Sequence, residues 1–128
     1  MSALSASNSS GASDVEIWDQ CVALLQEGQA FELHGDVPGA IAKYNEILAL
    51  SQGVQREKKR KKIKSAAVGS LGNAYDSLGQ YDKAIEHHNQ ALAISREIKN
   101  RQGEGNRLGS LGNAYKDLGQ YDLSLIHI

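Results

Sequence analysis

The chain has 128 residues, with 14 Lys and Arg against 15 Asp and Glu for a formal net charge of −1. That length is one ordinary domain, and that balance excludes a global attraction to nucleic acid or acidic membranes, leaving any such binding to a local patch. Cys21 is the only cysteine, which rules out an intrachain disulfide and fits a reducing compartment; with no apolar run near the ~18 residues of a membrane span and no basic start and apolar core of a secretory signal, the expected location is the cytosol.

Met1 to Ala12 is Ser, Ala, Asn and Gly, with Leu4 as its one bulky apolar residue. Such a segment buries too little surface to offset the entropy of ordering, so residues 1–12 are expected to be a disordered tail. Asn8-Ser9-Ser10 matches a glycosylation acceptor, but without a signal peptide the match reads as chance. Ser13 followed by Glu16 is a capping box and predicts a helix start. Ile17, Cys21, Leu24, Leu25, Gly28 and Phe31 then recur near a 3.6-residue period. Cys21 falls in this stripe and reads as a small buried side chain rather than a reactive thiol. His34-Gly35-Asp36 ends the helix, Pro38 suits the first turn of the next, and Ala40, Ile41, Tyr44, Ile47 and Leu48 form the second stripe. Residues 13–54 are therefore predicted to be one helical hairpin.

Residues 55–64 hold a basic run: Arg56, Lys58, Lys59, Arg60, Lys61, Lys62 and Lys64 against the single acid Glu57. On a helix these side chains point in nearly all directions, and only Ile63 joins the apolar register of the next segment. Two readings stand. One is a solvated extension of the next helix, expected to fray because positive charge at a helix start opposes the macrodipole. The other is an electrostatic site for nucleic acid, an acidic protein tail or an import receptor.

Gly69 to Asp82 returns as Gly109 to Asp122, an offset of 40 residues, with only Asp76 against Lys116 and Ser77 against Asp117 differing. Self-similarity at this period marks stacked units. In residues 65–102, Val68, Leu71, Tyr75 and Leu78 make one face of a first helix, and Ala66, Gly69, Ser70, Asn73 and Ser77 make an opposite face of short side chains. Gly79 to Asp82 supplies a turn, and Ala84, Ile85, His88, Ala91, Leu92 and Ile94 carry the second helix's stripe. Gly28 and Ala40 have the same spacing as Gly72 and Ala84, so the first hairpin is a diverged copy of this one. His88 falls where Tyr44 falls and reads as a packed, hydrogen-bonded core residue. The adjacent pair His87 and His88 diverges by about 100 degrees on a helix, which does not suit a metal site.

A third unit opens near Gly103, and residues 103–122 supply its first helix. Leu123 to Ile128 does not continue the register of Lys83-Ala84-Ile85-Glu86; these six residues read as an in-frame translation of a sequencing adapter on a truncated frame. A first helix without its partner leaves Leu111, Tyr115 and Leu118 short of cover, so self-association through this last unit is expected.

Leu71-Gly72-Asn73-Ala74-Tyr75 with Gly79, Tyr81, Ala84 and Ala91, repeated from Leu111 to Tyr121, resembles the tetratricopeptide repeat. The match is to the long 40-residue variant of Leu-Gly-Asn (Pins-type) regulators of G-protein signalling and of bacterial signalling arrays. The resemblance covers about Cys21 to Asp122. It implies an all-α helical-hairpin solenoid, a right-handed superhelix of about two and a half repeats, whose first helices line a concave groove holding a protein or peptide segment. Ala66, Gly69, Ser70, Asn73, Asn106, Gly109, Ser110, Asn113 and Lys116 are the expected groove residues. Asn73 and Asn113 offer a donor and an acceptor each to a ligand main chain, and the resemblance assigns these two to bound segments. Gly69, Asn106 and Ser110 stand where a chaperone-binding groove needs Lys or Arg, which argues against that subtype. Pins-type grooves carry Arg where Ala66 and Asn106 stand, with Arg107 one residue displaced.

No phosphate-cradling loop, nucleophile elbow or metal-spaced Cys/His set occurs, so neither catalysis nor a cofactor nor a small-molecule substrate is expected. The expected role is a protein-interaction scaffold within a larger signalling adaptor. The alternative is a basic tether, Arg56 to Lys64, on nucleic acid or anionic surfaces.

Overall fold

The computed structural model describes residues 13–126, with side chains through Gln120. The expected tail at 1–12 and the two last residues lie outside the described residues, as do the side chains of the segment read as adapter-derived. Among the described residues all regular structure is helical: α1 (Asp14–Leu33), α2 (Val37–Ser51), α3 (Glu57–Ser77), α4 (Tyr81–Glu97) and α5 (Arg101–Ile126).

Local chemistry sets most of the boundaries. Ser13 Oγ accepts the Glu16 N–H at 3.1 Å and Glu16 Oε1 accepts the Ser13 N–H at 3.2 Å, the reciprocal cap expected from the sequence. Asp36 Oδ1 caps α2 through the Gly39 N–H at 2.9 Å, with Pro38 in the first turn. Three helices end in one motif. After α1 the Gly35 and Asp36 N–H groups reach back to Glu32 and Phe31; after α3 those of Gly79 and Gln80 reach Asp76 and Tyr75; after α4 those of Lys99 and Asn100 reach Arg96 and Ser95. Each needs a left-handed residue, supplied by Gly35 (φ 84°), Gly79 (φ 77°) and, against steric preference, Lys99 (φ 58°).

Each helix packs chiefly on its neighbours in sequence, while α1 with α3 and α3 with α5 share narrower contacts. That is a row of hairpins and not a bundle about one centre, so the fold is a helical-repeat solenoid. Ile17, Cys21, Tyr44, Ile47, Ile63, Ala67 and Leu71 form a core shared by α1, α2 and α3. Within each of the first two hairpins the helices meet closely at a glycine. A Cβ on Gly28 would stand 2.4 Å from the Tyr44 ring, and one on Gly72 would stand 2.7 Å from the His88 ring. The correspondence between these hairpins is thus physical: each presses an aromatic ring of its second helix onto a bare backbone position of its first.

The basic run forms the first turns of α3, which is helical from Glu57 onward. Asp14, from the start of α1, accepts the Gln55 N–H at 2.7 Å and the Arg56 N–H at 3.0 Å, placing a carboxylate at a helix start that lacks a cap of its own. Those two backbone bonds hold the Asp14 carboxyl below the usual carboxylate range. At the far end, the second copy of Leu-Gly-Gln-Tyr-Asp forms no turn: α5 runs unbroken from Arg101 to Ile126.

Candidate functional site

The first helices of the hairpins, α1, α3 and α5, share three hollows. Trp18, Val22 and Leu25 of α1 and Lys62, Ile63 and Ala66 of α3 enclose a pocket of about 120 Å³, with Cys21 and Ile47 in its wall. Further along the same seam a wider, polar hollow is lined by Gln29, Glu32 and Leu33 of α1, by Ser70 and Asn73 of α3, and by Tyr44. Between α3 and α5 a third is lined by Lys62, Ser65 and Ala66 and by Gln102, Asn106 and Arg107. Residues about one turn apart on α3, namely Lys62, Ala66, Ser70 and Asn73, therefore run the length of this face.

The expected groove residues distribute unevenly over it. Ser70 and Asn73 share the polar hollow, and Asn73 is exposed. Ala66 lines both the first and third hollows, and Asn106 the third. Gly69 is buried and does not offer an open surface; a Cβ there would stand 1.9 Å from the Arg107 guanidinium, which folds over it from α5. Gly109, Asn113 and Lys116 are exposed on α5, outside these three hollows, and the Ser110 hydroxyl donates to the Asn106 carbonyl one turn back on the same helix at 3.0 Å.

The basic run is divided among different tasks. Lys61 pairs with Glu57 at 2.9 Å and also with Glu97 on α4, and Arg60 Nη1 donates to the Val54 carbonyl at 3.0 Å. Lys59 and Lys62 place their ammonium groups 5.5 and 5.9 Å from the centre of the Trp18 ring, within cation–π range. Arg56, Lys58 and Lys64 are exposed.

Behind the face lies a charged seam where α3, α4 and α5 meet. His88 is 1% exposed, and its Nδ1 has no hydrogen-bond partner, so it is packed as expected but not bonded at that nitrogen. Burial first, then the nearby Arg107 and His87 charges, lowers its pKa to about 4, which keeps the ring neutral near pH 7. Burial also lowers the pKa of Arg107, whose Nη1 is buried without a partner. Asp76 faces Asp117 across the α3–α5 contact; burial first and the second carboxyl next push it up to about 6. The two places where the repeated segment varies, 76/116 and 77/117, thus supply both members of this pair.

His87 does not join His88 in a ligand set, because its Nδ1 donates to the Lys83 carbonyl at 2.8 Å and its ring tilts against Tyr75. Among the described residues no three His, Cys, Asp or Glu side chains converge on a metal position, and no helix is long and apolar enough to cross a membrane. Cys21 is buried, and burial pushes its thiol pKa up.

Sequence reasoning missed Trp18 and Val22 on this face. Their signal was present: Trp18, Val22, Leu25 and Gln29 recur at spacings of four, three and four, a second stripe beside the core stripe of Ile17, Cys21 and Gly28. Val22 remains 40% exposed, so the second stripe is not filled by the chain itself. The sequence marks Arg107 only as standing one residue away from an expected position, and gives no sign that it covers Gly69.

A family model for the tetratricopeptide repeat matches residues 64–127. No curated protein matches the chain. The matched half of the chain and the row of hairpins agree with the resemblance carried by Leu71 to Tyr75 and its copy. This chain belongs to the tetratricopeptide repeat family, a scaffold type whose members mediate protein–protein interactions.

Proposed function

We propose that the face lined by α1, α3 and α5 is a groove that holds a segment of a partner protein, in a chain that acts as a scaffold and not as a catalyst. The observation that carries this reading is the alignment of three hollows along the first helices, with Lys62, Ala66, Ser70 and Asn73 in one row on α3. Asn73 and Asn113 are exposed on successive first helices, where each amide has a donor and an acceptor to offer a ligand backbone. Ala66, Ser70, Asn106, Gly109, Ser110 and Lys116 complete the surface in this reading, while Gly69 contributes by letting Arg107 lie flat over α3.

The test is partner capture by the intact chain and by Asn73→Ala/Asn113→Ala. The double variant is expected to lose capture while keeping its helical spectrum, and undiminished capture would remove the groove reading. Division of the basic run works against the tether alternative, since Lys61 is engaged by two carboxylates and Arg60 by the Val54 carbonyl. Salt separates the two by steepness: a tether neutralising many phosphates weakens steeply between about 50 and 200 mM salt through counterion release, and groove binding weakens far less over the same range.

A further inference from the structure

We propose that the pocket between α1 and α3 takes one bulky apolar side chain of a partner segment whose flanking residues are acidic. This rests on the groove reading and adds the chemistry of the occupant. At about 120 Å³ the pocket is a little smaller than the ~150 Å³ apolar cavity that accepts benzene, a size that suits the end of Leu, Met or Phe. Its walls are Trp18, Val22, Leu25, Ile47, Ile63 and Ala66, and Lys62 is the one charged side chain among its lining residues.

Charge complementarity identifies the neighbours of that anchor. Lys59 and Lys62 bring two ammonium groups to a single indole ring at the pocket mouth. The ring attracts each of them, but they repel one another, and among the described residues no carboxylate pairs with either. The Asp14 carboxyl, lowered in pKa first by its backbone bonds, also feels the Lys59 charge, yet both its oxygens are occupied by the Gln55 and Arg56 N–H groups. A carboxylate arriving with the ligand would meet two cations already held beside an apolar surface, where charged hydrogen bonds are strongest.

The spacing is set by α3. Lys62 lies one helical turn, about 6 Å, from Ala66, and Asn73 lies about 10 Å beyond it on the other side. An extended strand advances about 3.3 Å per residue, so the acid falls about two residues from the anchor, and the backbone read by Asn73 about three residues away in the opposite direction.

The experiment is selection of a display library of random linear peptides on the intact chain, followed by binding of the enriched peptide, fluorescently labelled, to variants of confirmed helicity. Enrichment of Leu, Met or Phe with Asp or Glu about two residues away is expected. Lys59→Gln/Lys62→Gln should weaken that peptide about 10-fold and flatten its salt dependence. Ala66→Phe, at an exposed position that plugs the mouth, should weaken it comparably, and replacing the peptide's anchor by Ser should match that loss. Enrichment without an acidic bias, equal binding of an acidic peptide lacking any apolar residue, or indifference to Lys62 and Ala66 each overturns the proposal. If Asn73→Ala/Asn113→Ala still abolishes binding in those cases, the groove reading survives alone. A selection that enriches no peptide removes both.

Discussion

Leu78 to Asp82 and Leu118 to Asp122 are the same five residues, Leu-Gly-Gln-Tyr-Asp, in two different conformations. In the first copy Gly79 takes φ 77° and the chain reverses into α4; in the second the helix passes straight through. The difference lies in the residues C-terminal to each copy. Asp82 leads into a helix whose Ala84, His88, Ala91 and Leu92 are buried against its neighbours, and that burial stabilises the reversal. Asp122 leads into Leu123 to Ile126, which continue α5. Gly-Gln permits a turn; packing of a second helix makes it form.

Giving the third unit a copy of the second unit's helix should erase this difference. Fusing Lys83–Glu97 after Asp122 is expected to move Gly119 into the left-handed region, read by its carbon chemical shifts. It should also raise stability by several kcal/mol, since each large apolar side chain newly buried contributes about 1.5–3 kcal/mol. Of the residues expected to be short of cover, Leu111 is buried and Leu118 half-buried, so Tyr115 and Leu108, 55% and 48% exposed, are the expected contacts in self-association of the chain as it stands. Concentration-dependent sedimentation should therefore be reduced both in the fusion and in Leu108→Ser/Tyr115→Ser.

The paired glycines sharpen the same contrast. Gly72→Ala drives a methyl into the His88 ring and should destabilise by about 2 kcal/mol in urea melts. At Gly112, its copy 40 residues on, a Cβ meets nothing within 4 Å, so Gly112→Ala should stabilise by about 0.5–1 kcal/mol through helix propensity alone. Equal effects at the two sites would contradict the packing argument.

Acid separates the second hairpin from the first, because His88 occupies the position of Tyr44. The Tyr44 hydroxyl donates to Glu32, whereas His88 is buried neutral with its pKa lowered from 6.5 to about 4. The unfolded chain takes up that proton first, so stability is lost as pH falls from about 6.5 toward 4, on the order of 3 kcal/mol from this group. Asp76 acts in the opposite sense: raised from 3.8 to about 6, it stabilises the fold most at low pH and loses that contribution as pH rises through about 6. Its partial exposure reduces its share to about 1 kcal/mol, so the net change on acidification is a loss. His88→Tyr should abolish that loss and leave only the Asp76 trend, seen as denaturation midpoints compared at pH 4.5 and pH 7.

The smallest expected effect concerns the three helix ends. Lys99 alone holds the left-handed position without being glycine, and Lys99→Gly should raise the melting temperature slightly, by about 0.5–1 kcal/mol of stability.

What could be read from the residues was whatever the chain states locally or repeats. The Ser13 cap, the turns at Gly35 and Gly79, and the correspondence of Gly28 and Tyr44 with Gly72 and His88 are all written within one hairpin. What escaped depends on side chains arriving from elsewhere. Gly69 reads as open in the sequence because the residue that covers it, Arg107, comes 38 residues later. The start of α3 reads as unstable because its carboxylate comes from Asp14, 42 residues before Arg56. Trp18 and Val22 escape because the core account of α1 is complete without them, and only the hollow they share with Lys62 and Ala66 marks them as belonging to the binding face.

The clasp of Asp14 on the Gln55 and Arg56 amides has a bearing on how such arrays grow. It brings the beginning of one hairpin beside the beginning of the next, so that a single unit is a nearly closed circuit of chain whose entry and exit adjoin. A segment with adjoining ends can be duplicated or removed in tandem without stretching the chain on either side.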